Sequence, residues 1–185
     1  MSENGLRAVF LDRDGVLTIP EFRGGRSYAP RRLEDFRLYD DTVTATRSLK
    51  AAGFRLVVVT NQPDVGRGDI APEIVEEMHR RLAAALPLDA IEACYHTRDD
   101  GCDCRKPKPG LLRRAAARFG IDYRESFMIG DRASDVAAGR AVGCRTIFID
   151  LDYVEELRPQ DADFTATSLG EAARIVLRES GEASD

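Results

Sequence analysis

Long apolar runs are missing from this chain of 185 residues. That excludes a transmembrane helix, which needs roughly 20 consecutive apolar residues. The opening stretch, Met1-Ser2-Glu3-Asn4-Gly5-Leu6-Arg7, has no apolar signal core. Positive charge is not in excess either. The 27 Lys and Arg stand against 32 Asp and Glu, a net charge of −5, so nothing global points to nucleic acid or an anionic membrane as partner. No internal repeat and no low-complexity segment interrupts the chain. Cysteine and histidine are scarce, four and two, and three of the cysteines crowd into one short segment beside a histidine. In a secreted chain four cysteines would suit two disulfides, but that clustering points to a metal. The expectation is a soluble, cytoplasmic, monomeric protein of one domain, 1–185, large enough to bury a core without disulfides.

What is present alternates. Residues 8–11 read as a short buried strand, 54–60 as the clearest strand in the chain, and 90–95, 126–129 and 145–149 as three more. Between them, 42–52, 72–86, 109–119 and 134–142 read as helices, and 168–179 as a closing helix. Gly53 and Gly120 mark two C-termini, Pro72 begins one helix, and Ser134 is expected to cap another. Ile74, Met78 and Leu82 share one face of the second helix. A Gly-rich segment, 20–30, reads as a loop around Gly24-Gly25, and 181–185 as a frayed tail. Alternating β and α elements with short links imply an α/β fold, a parallel sheet with helices on both faces.

The chemistry collects where strands end. Asp12-Arg13-Asp14-Gly15 follows the first strand, and open α/β sheets place their ligands beyond the carboxyl ends of strands. Asp12 and Asp14 can jointly hold a divalent cation or divide into nucleophile and proton donor. An acidic pair beside Gly is also the composition of an Asx-stabilised turn, and the spacing alone leaves both open. A calcium loop is excluded, because Val16, Leu17 and Arg23 occupy three of its diagnostic positions. The second strand runs into Thr60-Asn61, the fourth into Gly130-Asp131-Arg132-Ala133-Ser134-Asp135, and Arg105-Lys106-Pro107 precedes a helix. Together these supply carboxylates for Mg²⁺, a nucleophile and donors for phosphoryl oxygens, the inventory of phosphoryl transfer.

These four motifs, in this order, resemble those of the haloacid-dehalogenase superfamily of aspartate-nucleophile phosphatases. The resemblance runs from about residue 8 to residue 149. It implies a Rossmann-like three-layer sandwich with parallel strand order 3-2-1-4-5 and no large cap domain. Residue by residue, it implies that Asp12 is the nucleophile that forms an aspartyl-phosphate, and Asp14 the general acid and base. Mg²⁺ would be held by Asp12, Asp131 and the backbone carbonyl of Asp14. Thr60 and Lys106 would hold the transferring phosphoryl, and Asp135 would orient Lys106 or a metal-bound water. Asn61, Arg105 and Arg132 are expected to meet a small phosphorylated substrate.

Cys94, His96, Cys102 and Cys104 form C-x-H-x5-C-x-C. Three thiolates and an imidazole complete a tetrahedral Zn²⁺ set with no position open, a structural site in an inserted loop, 94–104. Arg105 and Lys106 follow directly, so the metal is expected to fix the segment carrying the lysine. Cys144 is read as a small buried hydrophobe and His79, among charged residues on a helix, as solvated. The zinc loop narrows the resemblance to a capless subgroup that contains heptose 1,7-bisphosphate and histidinol-phosphate phosphatases. The expected activity is the first of these, with histidinol phosphate or another sugar phosphate as the alternative. A nucleic-acid 3′-phosphatase disagrees with the acidic composition. Entrance loops 20–28 and 63–68, with Arg67, are expected to shape specificity.

Overall fold

A computed structural model of the chain describes residues 5–154 and 157–182. Its core is a six-stranded parallel sheet in the order β5-β4-β1-β6-β7-β8. In chain order these strands are β1 (Ala8–Leu11), β4 (Arg55–Asn61), β5 (Ala90–Cys94), β6 (Phe127–Gly130), β7 (Arg145–Ile149) and β8 (Phe164–Ala166). The first five stand in the expected order 3-2-1-4-5. β8 was not anticipated: three residues with an exposed central Thr165 carry little pattern, and the strand is held through pairing with β7.

β1 is buried along its whole length, because side chains alternate between two covered faces. Val9 and Leu11 join Leu56, Val58, Phe127, Ile129, Ile147 and Ile149 under α1 (Thr42–Ala51) and α6 (Leu169–Glu179). Ala8 and Phe10 join Val57, Val59 and Met128 on the other face under α4 (Gly110–Phe119) and α5 (Ala133–Arg140). Apolar runs such as Leu56 to Val59 are therefore continuous and not alternating. α3 (Pro72–Ala85) buries Val75, Met78, His79 and Leu82. Met78 and Leu82 are buried as expected, whereas Ile74 is only half-buried and Val75 and His79 complete the inward stripe.

Two segments break the alternation. The loop expected at 20–30 contains an antiparallel hairpin, β2 (Glu21–Arg23) and β3 (Arg26–Tyr28). Gly24 and Gly25 form its two-residue turn with φ of 56° and 78°, both in the left-handed region that such hairpin turns require. A single helical turn, α2 (Pro63–Gly66), follows β4. Ser168 caps α6 by accepting from the Glu171 N–H. Ser134 does not cap α5, which begins after Arg132; the Arg132 N–H donates to Asp135 Oδ2 at 3.1 Å instead. Of the expected frayed tail, 183–185 lie outside the described residues. Glu182 is tied down by an ion pair with Arg7. Among the described residues no helix is long and apolar enough to cross a membrane.

Candidate active site

β1 pairs with β4 on one side and β6 on the other, so the point where the sheet order reverses lies between β1 and β6. Asp12 follows β1 and its N–H donates to the Ile129 carbonyl of β6; Asp131 follows β6. Two neighbouring strands thus deliver carboxylates to the crevice where open sheets bind ligands. Lys106, from the loop between β5 and α4, reaches in with Nζ 2.8 Å from Asp12 Oδ1 and 2.6 Å from Asp135 Oδ1. Asp135 holds the lysine with one oxygen and the start of α5 with the other.

All four side chains are buried. Burial pushes the Asp131 carboxyl well above the ordinary carboxylate range, with Asp12 and Asp135 adding to the effect. Burial opposes the charge on Lys106, but Asp12 and Asp135 outweigh it and raise the ammonium's pKa. One carboxylate oxygen from each of Asp12, Asp131 and Asp135 lies within 4.8 Å of the other two, three acids against one buried ammonium. Asp131 Oδ1 is buried with no hydrogen-bond partner. Such an orphaned oxygen in an all-oxygen, electron-rich cluster is the environment a hard cation such as Mg²⁺ completes. Asp135 is already engaged by Lys106 and the Arg132 N–H, so Asp12 and Asp131 are the side chains available to a cation.

Asp14 lines the same cavity. Its Oδ2 accepts from Arg13 Nη2 at 2.9 Å and Gln62 Nε2 at 2.8 Å, and its Oδ1 from Thr18 Oγ1 at 3.0 Å. Arg13 is fully buried, pairs with His79 Nε2 through Nη1, and lies over the Phe36 ring. His79 is therefore buried and not solvated, and burial beside Arg13 pulls its pKa down to about 4. The signal was available in the spacing Val75, Met78, His79, Leu82, which is one helical stripe. For Arg13 no signal existed, since an arginine between two aspartates looks solvated.

Thr60 is buried, and its Oγ1 accepts from Gln62 Nε2 at 2.9 Å, leaving its hydroxyl hydrogen free to donate. Asn61 differs from expectation. It borders the cavity, but its amide clamps the Lys106 backbone in both directions, Nδ2 to the Lys106 carbonyl and Oδ1 from the Lys106 N–H, each at 3.1 Å. Its task is to hold the lysine's main chain. Arg132 lines the cavity too, and its Nη2 donates to the Ser27 carbonyl and Oγ, joining the hairpin to the site. Arg67 is paired with Asp64 and Asp69, so it adds less positive charge than its position suggested. Arg105 does line the cavity, as do Arg98 and Lys108, which no motif in the sequence marked. The cavity has a volume of about 460 Å³.

Tyr153, in the connection between β7 and β8, is likewise unmarked in the sequence. Its hydroxyl donates to Asp131 Oδ2 at 2.7 Å. Gly15, with φ +90°, makes this possible. A Cβ there would strike Asp131 Oδ2 and come within 3.0 Å of the Tyr153 oxygen, so the Gly of Asp-Arg-Asp-Gly is needed for close approach as well as for turning.

Cys94, His96, Cys102 and Cys104 converge as expected. Cys94 Sγ lies 3.7 Å from Cys102 Sγ and 3.2 Å from Cys104 Sγ, and His96 Nδ1 lies 3.6 and 3.3 Å from Cys94 and Cys104. Tetrahedral bonds of about 2.3 Å to sulfur and 2.0–2.1 Å to nitrogen require ligand separations of about 3.8 and 3.6 Å, close to those found. The sulfurs are too far apart for disulfides, which need about 2.05 Å. Burial raises the Cys94 thiol to about 12. Cys102 falls to about 7, where the Arg105 N–H and the neighbouring thiols outweigh burial. Cys144 is buried, as expected.

Comparison with known proteins gives the family. The family described as "HAD-hyrolase-like" matches residues 103–172. The D-glycero-beta-D-manno-heptose-1,7-bisphosphate 7-phosphatase of Photorhabdus laumondii is 39% identical over 186 residues, covering 93% of this chain and 96% of that protein. The Pasteurella multocida protein of the same name is 34% identical over 183 residues, covering 92% and 96%. The crystal structure of D,D-heptose 1,7-bisphosphate phosphatase from B. bronchiseptica, complexed with magnesium and phosphate, superposes with a TM-score of 0.80 at 26% identity, covering 94% of this chain and 99% of that one. The chain belongs to the HAD-like hydrolases, in the family of the heptose-1,7-bisphosphate 7-phosphatases.

Proposed function

We propose that this chain is a Mg²⁺-dependent phosphomonoesterase that removes the C7 phosphate of D-glycero-D-manno-heptose 1,7-bisphosphate through an aspartyl-phosphate on Asp12. The observation that carries this reading is the buried set Asp12, Lys106, Asp135 and Asp131 at the sheet's switch point, with an unpartnered carboxylate oxygen facing it. An Asp12 oxygen attacks phosphorus as the bond to the sugar oxygen breaks, and Asp14 gives that oxygen a proton. Asp14 then takes a proton from the water that attacks the aspartyl-phosphate, which releases phosphate and restores Asp12. The Lys106 ammonium and the Thr60 hydroxyl donate to the equatorial oxygens, and both are fixed before substrate arrives. When bound by Asp12, Asp131 and the Asp14 carbonyl, Mg²⁺ neutralises charge on the phosphoryl group. Cys94, His96, Cys102 and Cys104 would hold Zn²⁺, which would fix the loop that ends in Arg105 and Lys106.

Arg98, Arg105 and Lys108 at the cavity favour a substrate with a second anionic group, which a bisphosphate has and histidinol phosphate lacks. We further infer a single-domain monomer acting in the cytoplasm, where four unbridged cysteines stay reduced. The test is kcat/KM over a panel of phosphomonoesters. The bisphosphate is expected to lead, and equal or better turnover of histidinol phosphate would select that substrate instead. In the same assay Asp12→Asn should lose on the order of 10⁴-fold or more in kcat, as when a group that acts as part of a catalytic unit is removed.

A further inference from the structure

We infer that Tyr153 is a positioning residue for the divalent cation, fixing the Asp131 carboxylate so that a single oxygen faces the metal. The two oxygens of Asp131 differ in surroundings. Oδ2 accepts from the Tyr153 hydroxyl at 2.7 Å, whereas Oδ1 is buried with no partner. A carboxylate tethered by one oxygen cannot swing freely about its last torsion, so its other oxygen keeps one direction. The tether comes from the connection after β7, whose other described residues contribute nothing to the cluster. Described residues on either side of Tyr153 are tied together: Arg158 pairs with Asp150 and Asp152, and the Asp152 N–H donates to Asp150 Oδ1.

Two further contacts make this an arrangement and not a chance approach. Gly15 leaves the space in which Asp131 Oδ2 and the Tyr153 hydroxyl meet, since a Cβ at that position would collide with the Asp131 carboxylate and crowd the Tyr153 oxygen at 3.0 Å. On its outer side the Tyr153 ring meets Phe22 of the hairpin, with centroids 5.6 Å apart. The phenol is therefore positioned from above by β2 and delivers its hydrogen bond downward to the strand end. A phenylalanine at 153 would keep the ring contact and lose the hydroxyl's hydrogen bonds, the one to Asp131 Oδ2 and one with Ser27.

The inference rests on the reading of Asp12 and Asp131 as Mg²⁺ ligands, and its test separates the two. Mg²⁺ is titrated calorimetrically, without substrate, into wild-type and Tyr153→Phe protein dialysed free of Mg²⁺, and the Tm of each is measured with and without Mg²⁺. The expected result is a Kd for Mg²⁺ raised about 10- to 100-fold in the variant, the usual effect of deleting such a supporting contact. The Mg²⁺-dependent gain in Tm should shrink accordingly, and the Tm without Mg²⁺ should be unchanged. Equal or tighter Mg²⁺ binding by the variant overturns the inference. A lowered metal-free Tm with unchanged Mg²⁺ affinity makes Tyr153 structural and overturns it as well. If the wild-type protein itself binds no Mg²⁺, the metal site falls, and the role of Tyr153 with it.

Discussion

Arg13 has no exposed surface although it sits between two aspartates of one loop. Its guanidinium is shared between Asp14, which it grips through Nε and Nη2, and His79 Nε2, which Nη1 meets at 3.2 Å. A buried arginine needs partners of this kind, because an unpaired buried charge is strongly destabilising. His79 suits the place only while neutral. Its pKa of about 4 against an ordinary 6.5 means that between those pH values the unfolded chain binds a proton there and the folded chain does not. This contribution to stability is complete above pH 6.5 and is lost as pH falls towards 4. His79→Gln, with no titratable ring, should show a shallower fall in urea-unfolding free energy over that window than the parent. Equal slopes would mean that the histidine does not set the acid limit. Residues such as Asp12, Thr60 and Lys106 were legible because strand ends and motif order announced them. Arg13, Gln62 and Tyr153 were not, since what defines them is a partner distant in the chain or a burial that local composition hides.

Among the elements, the strands buried on both faces were the most legible, because a continuous apolar run as short as Leu56 to Val59 fits little besides a strand covered on both sides. β2, β3 and β8 have three residues each, too few for a period to declare itself. The hairpin's one sequence mark, Gly24-Gly25, reads equally as a loose loop until its strands are seen to pair. The zinc loop shows how an element can be specified by four side chains and no regular structure. Its stretch 97–101 contributes little to the core, so the metal supplies its order. Purified without added metal, the protein should hold about one zinc per chain. Cys104→Ser should lower that content, reduce the denaturation midpoint and depress phosphatase activity, because Cys104 is joined directly to Arg105 and Lys106. Metal analysis, unfolding and turnover of one preparation decide it; a zinc-free protein of full stability and activity would contradict the structural role.

Taken whole, the molecule carries a net charge of −5, yet the cavity over the carboxylate cluster is bordered by Arg98, Arg105 and Lys108. An anionic substrate is therefore drawn to a local field opposed to the overall one. Such steering fades as salt shortens the Debye length from about 10 Å at 0.1 M to about 3 Å at 1 M. For the bisphosphate, kcat/KM should fall several-fold across that range while kcat changes little, and an uncharged-leaving-group monophosphate should be affected less. A flat profile for both would remove the charged rim from substrate capture. The loop carrying Arg98 has a property that extends beyond this one protein. Both ends of 97–101 are moored, at His96 and Cys102, by side chains that meet at one point. Residues can be inserted or deleted between those moorings at a small entropic cost, since closing a longer loop costs only about 0.6 kcal/mol per doubling. Lys106 is meanwhile fastened separately by Asn61, Asp12 and Asp135. Arg98 and the bond-breaking lysine thus rest on different attachments, so the stretch 97–101 can vary in length and charge without disturbing Lys106.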